Sequence, residues 1–146
     1  MKLAIACDHN GYKLKKYIIK HMKDVEFIDF GTDSTDSTDY TDYAFKLGEY
    51  CVKNKVKGIA ICGSGIGFSI ALNKVNGIRC GRVTSIKDVI ATRNDNDANV
   101  ISFAGYLNEE RVIRIIETFI ETPFSTDERH IRRVNKISKY EKNNYM

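Results

Sequence analysis

The sequence predicts one α/β domain built in three layers, a five-stranded parallel sheet covered by helices on both faces. Three observations support this fold class. Short apolar segments alternate with longer amphipathic segments along the whole chain. The segment Gly58–Cys62 (GIAIC) is apolar throughout, which is typical of a strand covered on both faces. The chain has 146 residues, the length of one domain.

The first half of the chain contains three of the predicted strands. Lys2–Cys7 is a short apolar run. From Tyr12 the period changes, so that Leu14 and Ile18 share one face of an amphipathic helix, and most lysines of this segment, including Lys15, are expected on its other faces. The remaining elements of this half are a strand at Val25–Phe30, a loop at Gly31–Asp39, a helix at Tyr40–Lys53 and the strand at Gly58–Cys62.

The second half continues the alternation and ends in a charged helix. Its predicted elements are a short helix at Phe68–Asn73, a strand at Ile78–Val83, a helix at Ser85–Arg93, a strand at Val100–Phe103, a helix at Asn108–Glu121 and a terminal helix at Asp127–Glu141. Parallel strands joined by right-handed crossovers give a Rossmann-like arrangement. We see no interdomain linker and expect a single domain over residues 1–146.

Polar loops follow or precede several of these strands. In open parallel sheets, ligands bind at the carboxyl ends of the strands, near the point where the strand order reverses. We therefore expect four loops to gather at one edge of the sheet and to carry the chemistry. These loops are Asp8–Gly11, Gly31–Asp39, Gly63–Gly67 and Arg93–Asn99.

Composition excludes several classes of protein. Hydrophobic residues make up 42% and charged residues 29%, so the chain is not disordered, and no apolar run approaches the roughly 18 residues of a membrane span. The net charge is +4, with six Lys or Arg against three Asp or Glu from residue 125 onward. This local excess favours an anion site over a nucleic-acid surface. We expect a cytoplasmic protein with neither a membrane nor a nucleic-acid partner.

The four cysteines form no C-x-x-C pair, so neither a zinc site nor a thioredoxin-type motif is expected. One of them begins the segment Cys62-Gly63-Ser64-Gly65-Ile66-Gly67, here called the cysteine loop. Its glycines allow backbone N–H groups to converge on an anion, although a tight strand-to-helix turn with a buried thiol is the alternative. It lacks the lysine of a Walker loop, and it is a poor match to a dinucleotide fingerprint.

A thiol in this position has a reason to ionise. Converging N–H groups and the start of a helix favour thiolate over thiol, and a thiolate can act as a base as well as a nucleophile. The same N–H groups can hold an oxyanion that forms beside the sulfur. A base next to an oxyanion hole is the arrangement that removes a proton adjacent to a carbonyl group.

Other candidates have structural alternatives. Asp8 and His9 can bind sugar hydroxyls and phosphate, or can cap the following helix. Asp95 and Asn96 lie in a polar segment that can supply a carboxylate for proton transfer, or can be a solvated turn. The pair Arg129 and Arg133, spaced i, i+4, can clamp a phosphate, or can form a solvated basic face.

Taken together, these segments resemble the family of ribose-5-phosphate isomerase B and the galactose-6-phosphate isomerase subunits. The resemblance runs from residue 3 to about residue 137. Any one of the matching segments is weak, but their order along the chain is highly specific. They are Ile5–His9, Asp29–Thr32, Asp39–Ala44, Ile61–Gly67, Asn73-Lys74, Gly77–Arg79, Asn96–Val100, Arg129-His130 and Arg133-Val134.

The resemblance implies an aldose–ketose isomerase of a phosphorylated sugar that uses neither metal nor cofactor. Cys62 takes the place of the family's base, which works through a cis-enediolate, and Ser64 that of a hydroxyl residue beside it. The backbone of Gly63, Gly65, Ile66 and Gly67 corresponds to the anion hole. The sugar-binding positions are Asp8, Tyr40 and Asn96, and the phosphate-binding positions are His9, Arg129 and Arg133.

The resemblance also implies a homodimer or a dimer of dimers, with each site shared between subunits and the helix at about 127–141 used in dimerisation. Two positions depart from the family: Asp95 replaces a ring-opening histidine, and Tyr106 replaces an arginine. The leading hypothesis is interconversion of ribose 5-phosphate and ribulose 5-phosphate, a step of the pentose phosphate pathway. The alternatives are a six-carbon substrate, galactose or allose 6-phosphate, and a non-catalytic phosphosugar-binding module.

Overall fold

The computed structural model of the protein describes residues 1–143. Within these residues, five strands alternate with five helices and a sixth helix follows, and the strands form one sheet in the order β2-β1-β3-β5-β4 with every pair parallel. The elements are β1 (Lys2–Cys7), α1 (Tyr12–His21), β2 (Glu26–Asp29), α2 (Tyr40–Asn54), β3 (Lys57–Cys62), α3 (Ile66–Leu72), β4 (Cys80–Arg82), α4 (Ile86–Asn96), β5 (Val100–Ala104), α5 (Glu109–Glu121) and α6 (Glu128–Glu141). The predicted Rossmann-like fold class is confirmed.

The strand order reverses between β1 and β3. The chain moves from β1 outward to β2 on one side and then returns to place β3 on the other side of β1. The two strands pair in register up to Cys7 opposite Ile61, so their carboxyl ends lie side by side. In such sheets the reversal opens a crevice, and the loops after β1 and β3 form its walls.

Alternation along the central strands builds two different faces. Successive side chains of a strand point to opposite faces. On β3, Ile59 and Ile61 join the cluster packed against α1 and α5, whereas Ala60 and Cys62 join the cluster packed against α2 and α3. The second face is lined by small residues, which lets its helices lie close to the sheet. Cys62 therefore points toward α2 and α3.

Most element bounds differ little from the predicted ones, but the end of α4 differs in a way that matters. The helix runs to Asn96, three residues beyond the prediction, and Asp97 closes it in the left-handed conformation with φ +48°. Arg93 holds this turn: it is 5% exposed and donates hydrogen bonds to Asp97 Oδ1 and to the Ala98 carbonyl, both at 2.9 Å. Asp95 and Asn96 are therefore helical residues.

The expectation that segment Arg93–Asn99 joins the other three loops is wrong. This segment leads into β5, so it lies at the amino edge of the sheet, whereas the loops after β1, β2 and β3 lie at the carboxyl edge. Six residues of β3 at roughly 3.3 Å each separate the two edges by about 20 Å. The predicted element order already indicated this position, because the segment precedes the strand at Val100–Phe103 and therefore adjoins its amino end.

Candidate active site

The cysteine loop turns sharply at the carboxyl end of β3. Gly65 has φ +79°, and a β-carbon at this position would lie 2.7 Å from the Phe103 Cα atom, so any other residue would collide with the backbone of β5. This tight turn directs the Gly65 N–H group back to the Cys62 sulfur, with 3.1 Å between N and Sγ. Cys62 is 4% exposed, so within one chain its sulfur is buried beneath the cysteine loop and faces the cluster packed against α2 and α3.

The N–H groups of Ile66 and Gly67, the next residues of the loop, differ in their partners. Ser64 Oγ accepts a hydrogen bond from the Ile66 N–H group at 3.1 Å, so this hydroxyl also stabilises the turn. Gly67 follows in the first turn of α3, where backbone N–H groups have no carbonyl partner within the helix. The ring of Tyr40 packs against Gly67 so closely that a β-carbon at this position would lie 2.7 Å from Tyr40 Cζ. Tyr40 therefore borders the cysteine loop.

Asp8 and His9 lie beside this loop, since the Asp8 N–H group donates to the Ile61 carbonyl at 3.0 Å. Asp8 Oδ1 accepts hydrogen bonds from the N–H groups of Asn10 and Gly11, at 2.9 and 3.2 Å. Asp8 thus stabilises its own turn, although the N-cap residue of α1 is Gly11. His9 Nδ1 accepts a hydrogen bond from a backbone N–H group at 3.3 Å, that of Thr38, which leaves the proton of a neutral ring on Nε2.

A buried lysine anchors the loop that carries Thr38. Lys15 is 2% exposed, and its ammonium group donates to the Thr32 carbonyl at 2.6 Å and to Asp29 Oδ1 at 2.9 Å. The expectation that Lys15 lies off the buried face of α1 is wrong. Positions 11, 15, 18 and 22 follow the helical repeat of one face, and this spacing could have identified it.

The other three cysteines are poor candidates for a base. Burial raises the pKa of Cys7 to about 11 and that of Cys51 to about 12. Burial also raises the pKa of Cys80 to about 12, against the lowering effect of hydrogen bonds with Ser102 and Ser69. All three therefore remain thiols near neutral pH. Cys62 differs from them in the N–H group that points at its sulfur.

A small cleft opens beside the cysteine loop at the carboxyl edge. Its volume is about 280 Å³, and it is lined by Asn10, Gly63, Gly105 and Tyr106. Tyr106 is 74% exposed, so its hydroxyl is available to a ligand in this cleft. The structure therefore brings together, at one edge, Cys62 with its loop, Asp8, His9, Tyr40 and Tyr106.

The remaining predicted site residues lie at the amino edge. Asp95 Oδ1 is 3.6 Å from His130 Nε2, a contact that the sequence analysis missed and that no local spacing signals. Arg129 is exposed and pairs with the exposed Asp127 at 3.0 Å. Arg133 and Asn96 are also exposed. Within one chain these residues cannot reach the cysteine loop.

A larger cavity, of about 710 Å³, also lies at the amino edge rather than beside Cys62. It is a groove between α6 and the start of β4, and Asn96, Ile78 and Ile137 are among its lining residues. Its size alone does not make it the catalytic centre: the carboxylate in its lining, that of Glu141, is bound by the Gly77 N–H group, and burial raises the pKa of the Cys80 thiol in its lining to about 12. It shows instead that the amino edge has an open, partly apolar surface next to Asn96.

Among residues 1–143, no group of three or more His, Cys, Asp or Glu side chains is arranged to hold a metal ion. No helix in this part of the chain is both long and apolar enough to cross a membrane.

Comparisons with known proteins give one consistent result. A family model described as Ribose/Galactose Isomerase matches residues 3–137. A putative sugar phosphate isomerase of Bacillus subtilis is 42% identical over 154 residues, covering 99% of each chain. A probable ribose-5-phosphate isomerase B of Mycoplasma genitalium is 38% identical over 144 residues, covering 94% of each chain.

Solved structures agree in fold. Ribose-5-phosphate isomerase B of Clostridium thermocellum superposes with a TM-score of 0.92 at 38% identity, covering 98% of this chain and 99% of that one. The Mycoplasma genitalium enzyme with bound ribulose-5-phosphate superposes with a TM-score of 0.89 at 36% identity, covering 97% and 96%.

Proposed function

The chain belongs to the ribose/galactose isomerase family, and from that premise we propose that it interconverts ribose 5-phosphate and ribulose 5-phosphate. The observation that carries the proposal is the hydrogen bond from the Gly65 N–H group to the Cys62 sulfur at the carboxyl end of β3. The pentose substrate is supported by relatives named ribose-5-phosphate isomerase B. It is further supported by one such structure, which holds ribulose-5-phosphate.

In the proposed mechanism, Cys62 acts as the base. Its thiolate takes the proton from C2 of the open-chain aldose, and the electron pair forms the C1–C2 double bond of a cis-enediolate. The proton then returns from the sulfur to C1, which gives the ketose. The Gly67 N–H group stabilises the negative oxygen of the intermediate, and the Ser64 hydroxyl relays the proton between the two substrate oxygens.

The carboxyl edge supplies part of the substrate contacts. Asp8 and Tyr40 border the cysteine loop and are placed to contact sugar hydroxyls. His9 presents its Nε2 proton for the phosphate, because its Nδ1 atom is occupied by the Thr38 N–H group. Tyr106 contributes a hydroxyl in the small cleft but no charge.

The rest of the site comes, in this proposal, from a second copy of the chain. Asn96, Arg129 and Arg133 lie at the amino edge, about 20 Å from the cysteine loop of their own chain. A homodimer, alone or within a dimer of dimers, completes two equivalent sites if the carboxyl edge of each copy faces the amino edge of the other.

Exposed apolar side chains support this pairing. At the cysteine-loop edge, α3 presents Ile66 and Ile70, which are 48% and 59% exposed. At the amino edge, the groove beside Asn96 is partly lined by Ile137, which is 46% exposed. Burying these residues against each other removes apolar surface from water and brings Asn96 toward the cysteine loop of the partner copy.

Ring opening is assigned to Asp95 together with His130. A carboxylate is a weak proton donor near neutral pH, whereas an imidazole titrates in that range. The 3.6 Å contact between Asp95 Oδ1 and His130 Nε2 places the two groups where the carboxylate can orient the ring. Asp95 in this role replaces the histidine that the family usually has at its position.

The base assignment is tested by measuring isomerisation of ribose 5-phosphate with Cys62→Ala and Cys62→Ser. We expect each to lose at least about 100-fold in kcat, because a methyl group has no basicity and a serine hydroxyl is far less acidic than a thiol. Cys51→Ala is the matched control, since this thiol is buried on α2, and it should turn over like the wild type. Wild-type turnover by Cys62→Ala would rule out the proposed base.

The substrate assignment is tested with the unmodified chain. We expect kcat/KM for ribose 5-phosphate to exceed that for allose 6-phosphate and galactose 6-phosphate. A higher value for either six-carbon sugar would overturn the pentose assignment. If neither class of sugar exchanges its C2 proton with solvent, the protein is a phosphosugar-binding module and not an enzyme.

A further inference from the structure

One peptide group of the cysteine loop lies between a positive charge and the catalytic sulfur. The guanidinium Nε–H group of Arg82 donates to the Ser64 carbonyl at 3.1 Å. The N–H group of the same peptide, that of Gly65, donates to Cys62 Sγ, also at 3.1 Å. In a trans peptide the C=O and N–H bonds point in opposite directions, so Arg82 and Cys62 bind its opposite ends.

The following peptide group is held from the same face of the sheet. Ser102 Oγ donates to the Gly65 carbonyl at 2.7 Å. Arg82 on β4 and Ser102 on β5 are register partners, and paired residues of parallel strands present their side chains to the same face. Two neighbouring strands thus supply donors to two consecutive carbonyl groups of the loop.

These contacts have an electrostatic consequence for the sulfur. A guanidinium group keeps its charge at every pH relevant to the enzyme. A hydrogen bond from a charged donor polarises the peptide that accepts it, which makes the N–H group at the other end a stronger donor. We propose that Arg82 is a positioning residue for the isomerisation, which acts on Cys62 through the Ser64–Gly65 peptide and favours the thiolate.

The other elements packed around Cys62 bring no competing cation into a hydrogen bond with the cysteine loop within residues 1–143. Helix α3 contains no titratable residue. Burial raises the pKa of Cys80 on β4 to about 12, so it remains a thiol. The carboxylate of Asp88 on α4 accepts hydrogen bonds from the N–H and hydroxyl groups of Thr84, and the charge of Arg82 contributes, as the smallest of the causes, to lowering its pKa. The further titratable neighbours of the loop are Asp8 and Tyr40.

The inference rests on the proposed role of Cys62 and is tested by Arg82→Met, which removes the charge and the donor from an exposed position. We expect the rising limb of the kcat/KM profile to move to higher pH by roughly 0.5–1 unit, with activity on the alkaline plateau within about twofold of wild type. Arg82→Lys, which keeps the charge, should move the limb less.

A second readout is independent of turnover. The ultraviolet absorbance of the thiolate is followed against pH in each protein, with the Cys62→Ser spectrum subtracted, and its midpoint should move with Arg82→Met as the kinetic profile does. Arg111→Met is the matched control, because Arg111 is an exposed arginine in the first turn of α5, at the same edge of the sheet. It should move neither midpoint.

Two outcomes would overturn the inference. One is a loss of activity in Arg82→Met by the same factor at every pH, which would mean that Arg82 only steadies the loop. The other is an equal shift in Arg111→Met, which would mean that any nearby charge suffices. If either result is found while Cys62→Ala is inactive, only the role of Arg82 is overturned and the proposed function stands. If Cys62→Ala is active, the proposed function itself is overturned.

Discussion

Gly65 shows how one residue fixes the geometry of the candidate site. Its left-handed conformation and its contact with the Phe103 backbone leave no space for a side chain, and the resulting turn is what directs its N–H group at the Cys62 sulfur. The neighbouring Gly63 has no such restriction: a β-carbon there would meet the Asn10 Nδ2 atom at 3.2 Å, which a side-chain rotation relieves.

We predict that Gly65→Ala lowers the free energy of unfolding by about 2–4 kcal/mol, from left-handed strain plus a backbone collision. Isomerase activity should fall with it, because the N–H group moves away from the sulfur. Chemical denaturation measures the change in the free energy of unfolding, and the turnover of the folded fraction measures the change in activity. Gly63→Ala, as the control, should cost less than about 1 kcal/mol. Equal stability of the two variants would contradict this account.

Single residues were predictable where their chemistry is local. The sequence placed Cys62, Ser64 and the loop glycines together because they are adjacent in the chain and follow a buried strand. For Lys15, helical spacing indicated the buried face, but its partners, Asp29 and the Thr32 carbonyl, lie outside α1 and could not be found from that spacing. The sequence also could not find Arg82 or His130, whose partners are 18 and 35 residues away in the chain.

At the scale of one element, α4 begins with three hydrogen bonds that join Asp88 to Thr84 and Ser85. Ser85 Oγ accepts from the Asp88 N–H group at 3.2 Å, and Asp88 Oδ2 accepts from the Thr84 N–H and hydroxyl groups at 2.9 and 2.8 Å. The hydrogen bond from the Thr84 N–H group is the main cause that lowers the pKa of Asp88 below its ordinary value of 3.8. This arrangement differs from a capping box in one partner, because the Asp88 carboxylate binds the N–H group of Thr84, the residue before the N-cap, and not that of Ser85.

We predict that Asp88→Ala destabilises the protein by about 1 kcal/mol at neutral pH. Because the pKa of Asp88 is lowered by folding, its contribution is complete above pH 3.8 and is lost as the pH falls through the lowered value. The difference from wild type should therefore shrink in acid, as measured by urea denaturation at several pH values. Glu110→Gln, in the first turn of α5, should change stability by less than about 0.5 kcal/mol. A difference that grows in acid would refute the assignment.

The ends of elements were less predictable than their order. The hydrophobic periodicity identified every strand and helix, but it could not predict the end of α4. That end depends on Arg93, which donates hydrogen bonds to Asp97, to the Ala98 carbonyl and to the carbonyl of Thr122, the residue that follows α5. A pattern confined to neighbouring residues does not contain this contact. The first residues after Arg93 were therefore predicted as a loop, although they form the last turn of a helix.

At the scale of the whole molecule, the proposed site is divided between the two edges of the sheet. The proposed base, Cys62, lies at one edge and the arginines lie at the other, about 20 Å apart. Topology alone establishes this separation, so it follows as soon as the strand order is known. What the sequence could not supply is the surface through which two copies meet.

Sharing of the site predicts complementation between inactive variants. When Cys62→Ala and the double variant Arg129→Ala, Arg133→Ala are co-expressed, each mixed dimer should contain one intact site. Random pairing should then restore roughly a quarter of wild-type activity. Activity and subunit composition are measured together, using a different tag on each variant.

The control is co-expression of Cys62→Ala with Cys62→Ser, which leaves every site without its base and should restore nothing. If mixed dimers form but remain inactive, the arginines do not act across the subunit boundary, and the division of the site proposed above is wrong.

Helix α6 has one buried residue, Val134, and its far end is tied to the body by the Glu141 carboxylate, which accepts from the Gly77 N–H group. An element with so little buried apolar surface opens at a low free-energy cost. In a lone subunit we therefore expect the amide hydrogens of this helix to exchange quickly with deuterated solvent. If a second subunit holds the helix in place, dilution that separates the subunits also releases the helix and its arginines. The turnover per chain should then decrease as the enzyme is diluted.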